Sequence, residues 1–317
     1  MSKQGLRKVY IERLIELAAT DDRIVSLDTD SREATMADKF AAVYPDRAFT
    51  FGIAEQDMVS AAGGMATMGL VPFVNSYSMF IAMRALDQVR NSIAYPNLNV
   101  NFVLSHHGLD AGADGVTHQL TEDIAIFRSI PNLVYLSPAD AVEMRQMIDF
   151  AVVYDGPVVI KSGKTMQQDV HDESHVWNVG VPSILREGET VAIAATGIMV
   201  AEALIAREKL TALGIDARIV NVSTLAGVAS GSLLDAFEGC KLVISMEDHS
   251  INGGLGGLLA EMFSERRPTR LIRLGLEDTF AECGPPVDLY RKYEMDSDAA
   301  VNRVKGLLDE IPDFLSN

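Results

Sequence analysis

The sequence predicts an α/β protein of two domains, each built on a parallel or mixed sheet with helices on both faces. Three observations carry that expectation. Short apolar runs alternate with segments of helical periodicity along the chain, which is the pattern of strand–helix–strand units. Runs such as NVNFVLS (99–105) are too continuous for a strand with one solvated face. The alternation breaks once, at the polar, aperiodic stretch 166–188. Read as a linker, that stretch separates a domain at 1–165 from one at 189–317. The 317 residues agree with about two domains of ~100–200 residues each.

The elements follow in order. Leu6, Val9, Tyr10, Ile11, Leu14, Leu17 and Ala18 share helical spacing. RIVSLDTDS reads as a buried strand passing into a polar loop, and AFTFG repeats that pattern. Residues 54–68 form a small-residue helix with Gly69 as its stop. VPFVNSYS is extended, MFIAMRALDQVRNSIAY is helical, and 99–105 is a strand followed by a long loop at 106–123. LVYLS is a strand, and PADAVEMRQMIDFAVVY a helix with Ser137 as N-cap and Pro138 in its first turn. PVVIKSG closes the first unit. Beyond the linker come TVAIAATG, a helix at 198–213 stopped by Gly214, ARIVNVS, KLVISMEDHS, a helix from about 255, and RLIRLGL. Ligands of such sheets sit beyond the carboxyl ends of the strands.

Composition excludes several function classes. A net charge of −17 disfavours nucleic acid and anionic membrane surfaces, which need clustered Lys and Arg. Two cysteines, Cys240 and Cys283, argue against a disulfide framework and a cysteine-based zinc site. The first twenty residues carry charges through their apolar positions, unlike a signal peptide or membrane span. The expectation is a cytoplasmic protein with no membrane segment.

The loop 106–123 is the densest chemical signal. His106, His107, Asp110, Asp114, His118, Glu122 and Asp123 crowd into it, with Gly108, Gly112 and Gly115 freeing the backbone. A ligand-binding loop, a solvated turn and a metal site all fit such a cluster. The metal reading lacks a compact ligand spacing. NGGLGG (252–257) precedes a helix and is open to two readings, anion binding or close helix–strand packing. The acidic Glu247 and Asp248 just upstream favour packing. Glu55 opens the helix at 54–68 among Phe51, Ile53, Ala54 and Met58. A glutamate there is favoured by the helix dipole alone, but a partly desolvated carboxylate is also suited to sharing a proton.

Taken together, FGIAEQDMVSAAGGMATMGLVPFVNSYSMF, RALDQVRNSIAYPNLNV, GADGVTHQLTEDIAIFRSIPNL and SPADAVE resemble the C-terminal half of transketolases. The resemblance is closest to the separate small subunit of split bacterial transketolases. It is strong over 5–165 and continues through 188–317, where EDHSINGGLGG is similar to the family's C-terminal domain. It implies a thiamine diphosphate pyrimidine-binding domain followed by a transketolase C-terminal domain. It also implies transfer of a two-carbon ketol unit from a ketose to an aldose. Glu55 would hydrogen-bond the aminopyrimidine ring and so activate the cofactor, with Tyr77, Phe80 and Met83 at the aromatic positions that pack on that ring. His106 and His118 match histidines that bond substrate hydroxyls and shuttle protons, and Asp114 a carboxylate that recognises a sugar hydroxyl. Lys164 and Arg7 match basic substrate positions.

Several departures bear on the substrate. Met83 replaces an aromatic of many relatives, Ala113 a common Glu, Lys164 a common Arg, and Ala34 a phosphate-binding Ser. Lys offers a point charge rather than a bidentate fork. These changes point towards another anionic or unphosphorylated sugar. The family's Gly-Asp-Gly motif for diphosphate and magnesium does not occur. The expectation is that a large partner subunit holds Mg2+ and the diphosphate, in an α2β2 heterotetramer. Rival readings are a split 1-deoxyxylulose-5-phosphate synthase-like subunit, a 2-oxo acid dehydrogenase E1 β-like subunit, and a catalytically idle regulatory homologue.

Overall fold

Each apolar run read as a strand is one in the computed structural model, which describes residues 3–227, 230–311 and 314–315. The first half contains β1 (Lys3–Gly5), β2 (Ile24–Asp28), β3 (Ala48–Thr50), β4 (Val71–Tyr77), β5 (Asn101–Ser105), β6 (Val134–Leu136), β7 (Val158–Lys161) and β8 (Met166–Gln168). The second contains β9 (Ser183–Arg186), β10 (Val191–Ala195), β11 (Ala217–Asn221), β12 (Thr224–Ala226), β13 (Leu242–Ser250) and β14 (Arg270–Leu276).

A seven-stranded sheet runs β12-β6-β7-β5-β4-β2-β3, and a five-stranded sheet runs β14-β13-β10-β11-β9. Both are parallel except at one edge, where β12 lies antiparallel to β6 and β9 antiparallel to β11. The central strands β2, β5, β7 and β10 are buried throughout, which is why their sequences read as continuous apolar runs.

Three hydrophobic cores fill the layers. One packs helices Leu6–Ala18 and Ala141–Val153 on one face of the large sheet, through Leu14, Tyr10, Met144 and Ile148. A second covers one face of the small sheet, through Met199, Ile219 and Leu289. The third is shared, running without interruption from Val74 and Phe102 of the large sheet to Ala194, Val220 and Phe263 of the second half.

Local expectations hold at the glycine stops. Gly69 and Gly214 have φ of +86° and +79°, just after helices Glu55–Thr67 and Met199–Thr211. Three features differ. The N-cap of helix Ala141–Val153 is Asp140, not Ser137; its carboxylate accepts from the Val142 and Glu143 N–H groups, and Pro138 lies ahead of the helix. The helix expected over 79–95 is broken at Ala85 and ends in a π-helical stretch, Val89–Ala94. The stretch 166–188 holds β8, paired to β1, and β9, an edge strand of the small sheet. Such short edge strands take their pairing from distant backbone and leave little periodicity to read.

Candidate active site

The carboxyl ends of β4, β5 and β7 deliver the candidate residues to one edge of the large sheet. Tyr77 ends β4 and leads into helix Ser78–Arg84, which carries Phe80. His106 follows β5 at φ +56°, a left-handed backbone that a non-glycine residue holds only where its surroundings enforce it. The Tyr77 and His106 rings stack at 3.9 Å between centroids. The His118 ring meets both Tyr77 and Phe80 edge-on, at 5.6 and 5.5 Å, and Tyr77 and Phe80 stack at 5.5 Å. Four of the expected residues thus form one aromatic cluster.

A polar line extends from it. His106 Nδ1 lies 2.9 Å from Ser105 Oγ, and its Nε2 3.3 Å from Asp114 Oδ2. Lys164 Nζ donates to the same Asp114 oxygen at 2.7 Å and to the Ala111 carbonyl at 3.0 Å. Burial drives the His106 pKa down to about 3, aided by the Arg7 charge, so this imidazole is neutral at physiological pH. Burial pushes the Asp114 carboxyl up, but the Lys164 ammonium outweighs it and holds the group below its ordinary range. Arg7 donates to two backbone carbonyls, Ala34 O and Lys164 O, and tethers those loops.

Glu55 is the first residue of helix Glu55–Thr67 and is 2% exposed. The expected apolar surround is only half present: Met58 is buried, whereas Ala54 is exposed and Ile53 is 73% exposed. Instead the carboxylate is paired. Arg84 Nη1 donates to Glu55 Oε2 at 2.6 Å, and the Arg84 guanidinium lies over the Phe80 ring, 5.3 Å from its centroid. The pair therefore joins Glu55 to the aromatic cluster. A guanidinium is a planar N–C–N cation. It thus presents a flat, protonated nitrogen edge to Glu55 and lies over Phe80. Met83, between Phe80 and Arg84, is 55% exposed.

The histidine loop rests on the second half of the chain. Asp248 accepts from the Leu109 and Asp110 N–H groups at 2.7 and 3.0 Å and from the Tyr290 hydroxyl at 2.9 Å. A Cβ on Gly108, at φ +56°, would come within 2.3 Å of the Asp248 carboxylate. Burial raises the Asp248 pKa to about 6, against the opposing Lys161 charge. His107, within the loop, is buried and is held far below its ordinary pKa by desolvation. Glu247 next door caps helix Leu255–Arg266, accepting from the Leu255 and Gly256 N–H groups at 2.6 and 2.8 Å. A Cβ on Gly254 would lie 1.9 Å from that carboxylate. NGGLGG is therefore a packing motif, its helix N-terminus already occupied by a side-chain anion.

Sequence reasoning did not single out Arg84 as a partner of Glu55 or Asp248 as an anchor of the loop. An Arg one helical turn beyond Phe80 is a signal for the first. Nothing local signals the second.

Comparison with known proteins adds the relatives. The family described as "Transketolase, pyrimidine binding domain" matches residues 2–169, and "Transketolase, C-terminal domain" matches 180–299. A 6-deoxy-6-sulfo-D-fructose transketolase subunit of Clostridium sp. (strain MSTE9) is 38% identical over 293 residues, 92% of this chain and 91% of that protein. A subunit of the apulose-4-phosphate transketolase of Actinobacillus succinogenes is 32% identical over 301 residues, 94% of this chain and 97% of that one. Among solved structures, a split-gene transketolase described as an inactive β4 tetramer is 35% identical. It superposes with a TM-score of 0.88 over 97% of this chain and 99% of its own.

Proposed function

The chain belongs to the transketolase family, and from that premise we propose that it is the small subunit of a two-protein, thiamine diphosphate-dependent ketol transferase. The observation that carries the reading is the continuous line from Glu55 through Arg84 and Phe80 to Tyr77, His106, His118, Asp114 and Lys164. Thiamine diphosphate, when bound, supplies the carbon that accepts the ketol unit. Glu55 would hold the proton shared with the cofactor's pyrimidine ring, and Tyr77, Phe80 and Met83 would line the place for that ring. Neutral His106 and the neighbouring His118 bond sugar hydroxyls and pass protons at them. Asp114 accepts from a further hydroxyl.

Lys164 and Arg7 face the anionic end of the substrate. Asp114 already offsets the Lys164 charge and Arg7 is spent on carbonyls, so this is a weaker phosphate grip than a free guanidinium fork. That balance suits an anionic ketose whose charge is a sulfonate or a phosphate, the two classes named in the relatives' descriptions. Exposed Ile53 and Met83 beside the Glu55–Arg84 pair fit coverage by a large subunit. That subunit holds Mg2+ and the diphosphate in an α2β2 assembly. No helix among the described residues is long and apolar enough to cross a membrane, and we assign the complex to the cytoplasm.

The test is to co-purify this chain with its large subunit and assay ketol transfer from sulfonated and phosphorylated ketoses. Glu55→Gln is expected to lower kcat by about 10²–10⁴-fold. Turnover by the isolated chain would sink the two-subunit reading, and full activity of the Gln variant would sink the role of Glu55.

A further inference from the structure

Two histidines of the 166–188 stretch, His171 and His175, take no part in the site above. Both are folded against the start of helix Ala141–Val153. Asp140 Oδ2 accepts the Val170 and His171 N–H groups at 2.9 and 2.7 Å. The Gln146 side chain donates to the His175 carbonyl and accepts from the Trp177 N–H, both at 2.8 Å. The two imidazoles stack at 3.8 Å, 20° from parallel.

The ring nitrogens of this pair are poorly satisfied. His171 Nδ1 lies 2.9 Å from Asp140 Oδ2; in the neutral ring with its N–H on that carboxylate, Nε2 carries the lone pair. That Nε2 is buried without a hydrogen-bond partner, and so is His175 Nε2. The His171 side chain is 3% exposed. Facing them is Glu143, fully buried, whose Oε1 is 3.8 Å from His175 Nε2. One ligand atom from each of Glu143, His171 and His175 lies within 4.8 Å of the other two. Glu143 is held in turn by the Ala139 N–H and the Asn221 amide, both at 2.8 Å.

We propose that Glu143, His171 and His175 form a site for a divalent transition-metal ion of the zinc class, which clamps the 170–177 segment to the body of the protein. Two imidazoles and one carboxylate suit zinc or cobalt, whereas magnesium and calcium prefer oxygen ligands throughout. Zinc–ligand bonds of about 2.0–2.2 Å place ligand atoms roughly 3.3 Å apart. Binding requires the partly exposed His175 ring to swing off its stack on His171, so that both lone pairs converge on the ion. Asp140 behind His171 is the carboxylate–imidazole arrangement that orients metal-binding histidines. Water would complete the fourth position from the His175 side, where the side chain is 17% exposed. Through Asn221 at the end of β11, the site ties the helix after β6, the connecting segment and the small sheet at one point. The acidic chain also favours cations in general, so the test must separate this site from the surface.

The full chain, without an affinity tag and stripped with chelator, is titrated with zinc chloride by calorimetry and with cobalt by visible absorption. We expect one zinc per chain with a dissociation constant of about 10 µM or tighter. A four-coordinate cobalt spectrum should accompany it, and zinc at hundredfold excess should raise the melting midpoint by about 4 °C. His175→Gln, at the partly exposed ligand, should weaken binding by at least about tenfold with an unchanged circular dichroism spectrum, and His171→Gln should do the same. Absence of saturable binding at that concentration overturns the proposal. Zinc affinity unchanged in the folded His175→Gln protein also overturns it, because the ion is then held elsewhere.

Discussion

At the scale of single residues, Glu55 and Arg84 form a half-buried ion pair at the edge of the aromatic cluster. A buried carboxylate without a partner is destabilising by several kcal/mol. Arg84 is half exposed, so solvent takes up part of that loss. Arg84→Met is expected to destabilise the isolated chain by about 1–2 kcal/mol in urea unfolding, and adding Glu55→Gln should recover most of it. If the double variant is as unstable as the single, the pair is not what stabilises Glu55. His106 makes a prediction in pH. Its pKa is about 3 in the fold against an ordinary 6.5, so between those values the unfolded chain binds a proton that the folded chain does not. Its contribution is complete above pH 6.5 and is lost as pH falls towards 3. Relative to His106→Asn, a residue tolerant of positive φ, the wild type should lose about 2 kcal/mol between pH 7 and 5. An imidazole found by NMR to titrate near its ordinary value would contradict this.

At the scale of elements, the histidine loop is shaped by a strand from the other half of the chain. Gly108→Ala adds a Cβ 2.3 Å from the Asp248 carboxylate at φ +56°. We expect a loss of about 2–4 kcal/mol and a large fall in ketol transfer, because His106 and Asp114 flank that turn. Wild-type stability and rate in the variant would remove Asp248 as the anchor. Asp248 itself has a pKa of about 6 against an ordinary 3.8. Between those values the folded chain holds a proton that the unfolded chain lacks, so this contribution is complete below 3.8 and is lost as pH rises through 6. The stability of Asp248→Asn relative to wild type should therefore rise by up to about 3 kcal/mol from pH 4 to 7. A flat difference across that range counts against the assignment. That His106, Asp114 and His118 gather at the carboxyl end of a buried strand was legible, because they crowd into the loop after it. Its support was not, because Asp248 lies 139 residues from Leu109 and a buried Asp in a strand has no local pattern.

At the scale of the whole molecule, the two halves are not independent. Strand β12 from the second half completes the edge of the large sheet beside β6, and the shared core runs through both halves. The chain should therefore unfold in one calorimetric transition. A fragment ending at residue 186 should bind a hydrophobic dye or aggregate, having lost β12 and the apolar cover of Phe102 and Val74. Two separated transitions, or a monodisperse folded fragment, would show that the halves are autonomous.

The sequence by itself determined the strands written as apolar runs, the glycine helix stops, the two-sheet α/β class and the kinds of side chain gathered at the carboxyl end of β5. Those are written locally, in apolar continuity, helical spacing and glycines that permit positive φ. Only the tertiary structure decided the exchange of β12, the pairing of Arg84 with Glu55, the anchoring of the histidine loop on Asp248 and the meeting of His171 and His175 with Glu143. Backbone pairing is nearly blind to side-chain identity, and a buried charge takes its partner from whatever the fold brings near. Neither choice leaves a periodic trace in the chain.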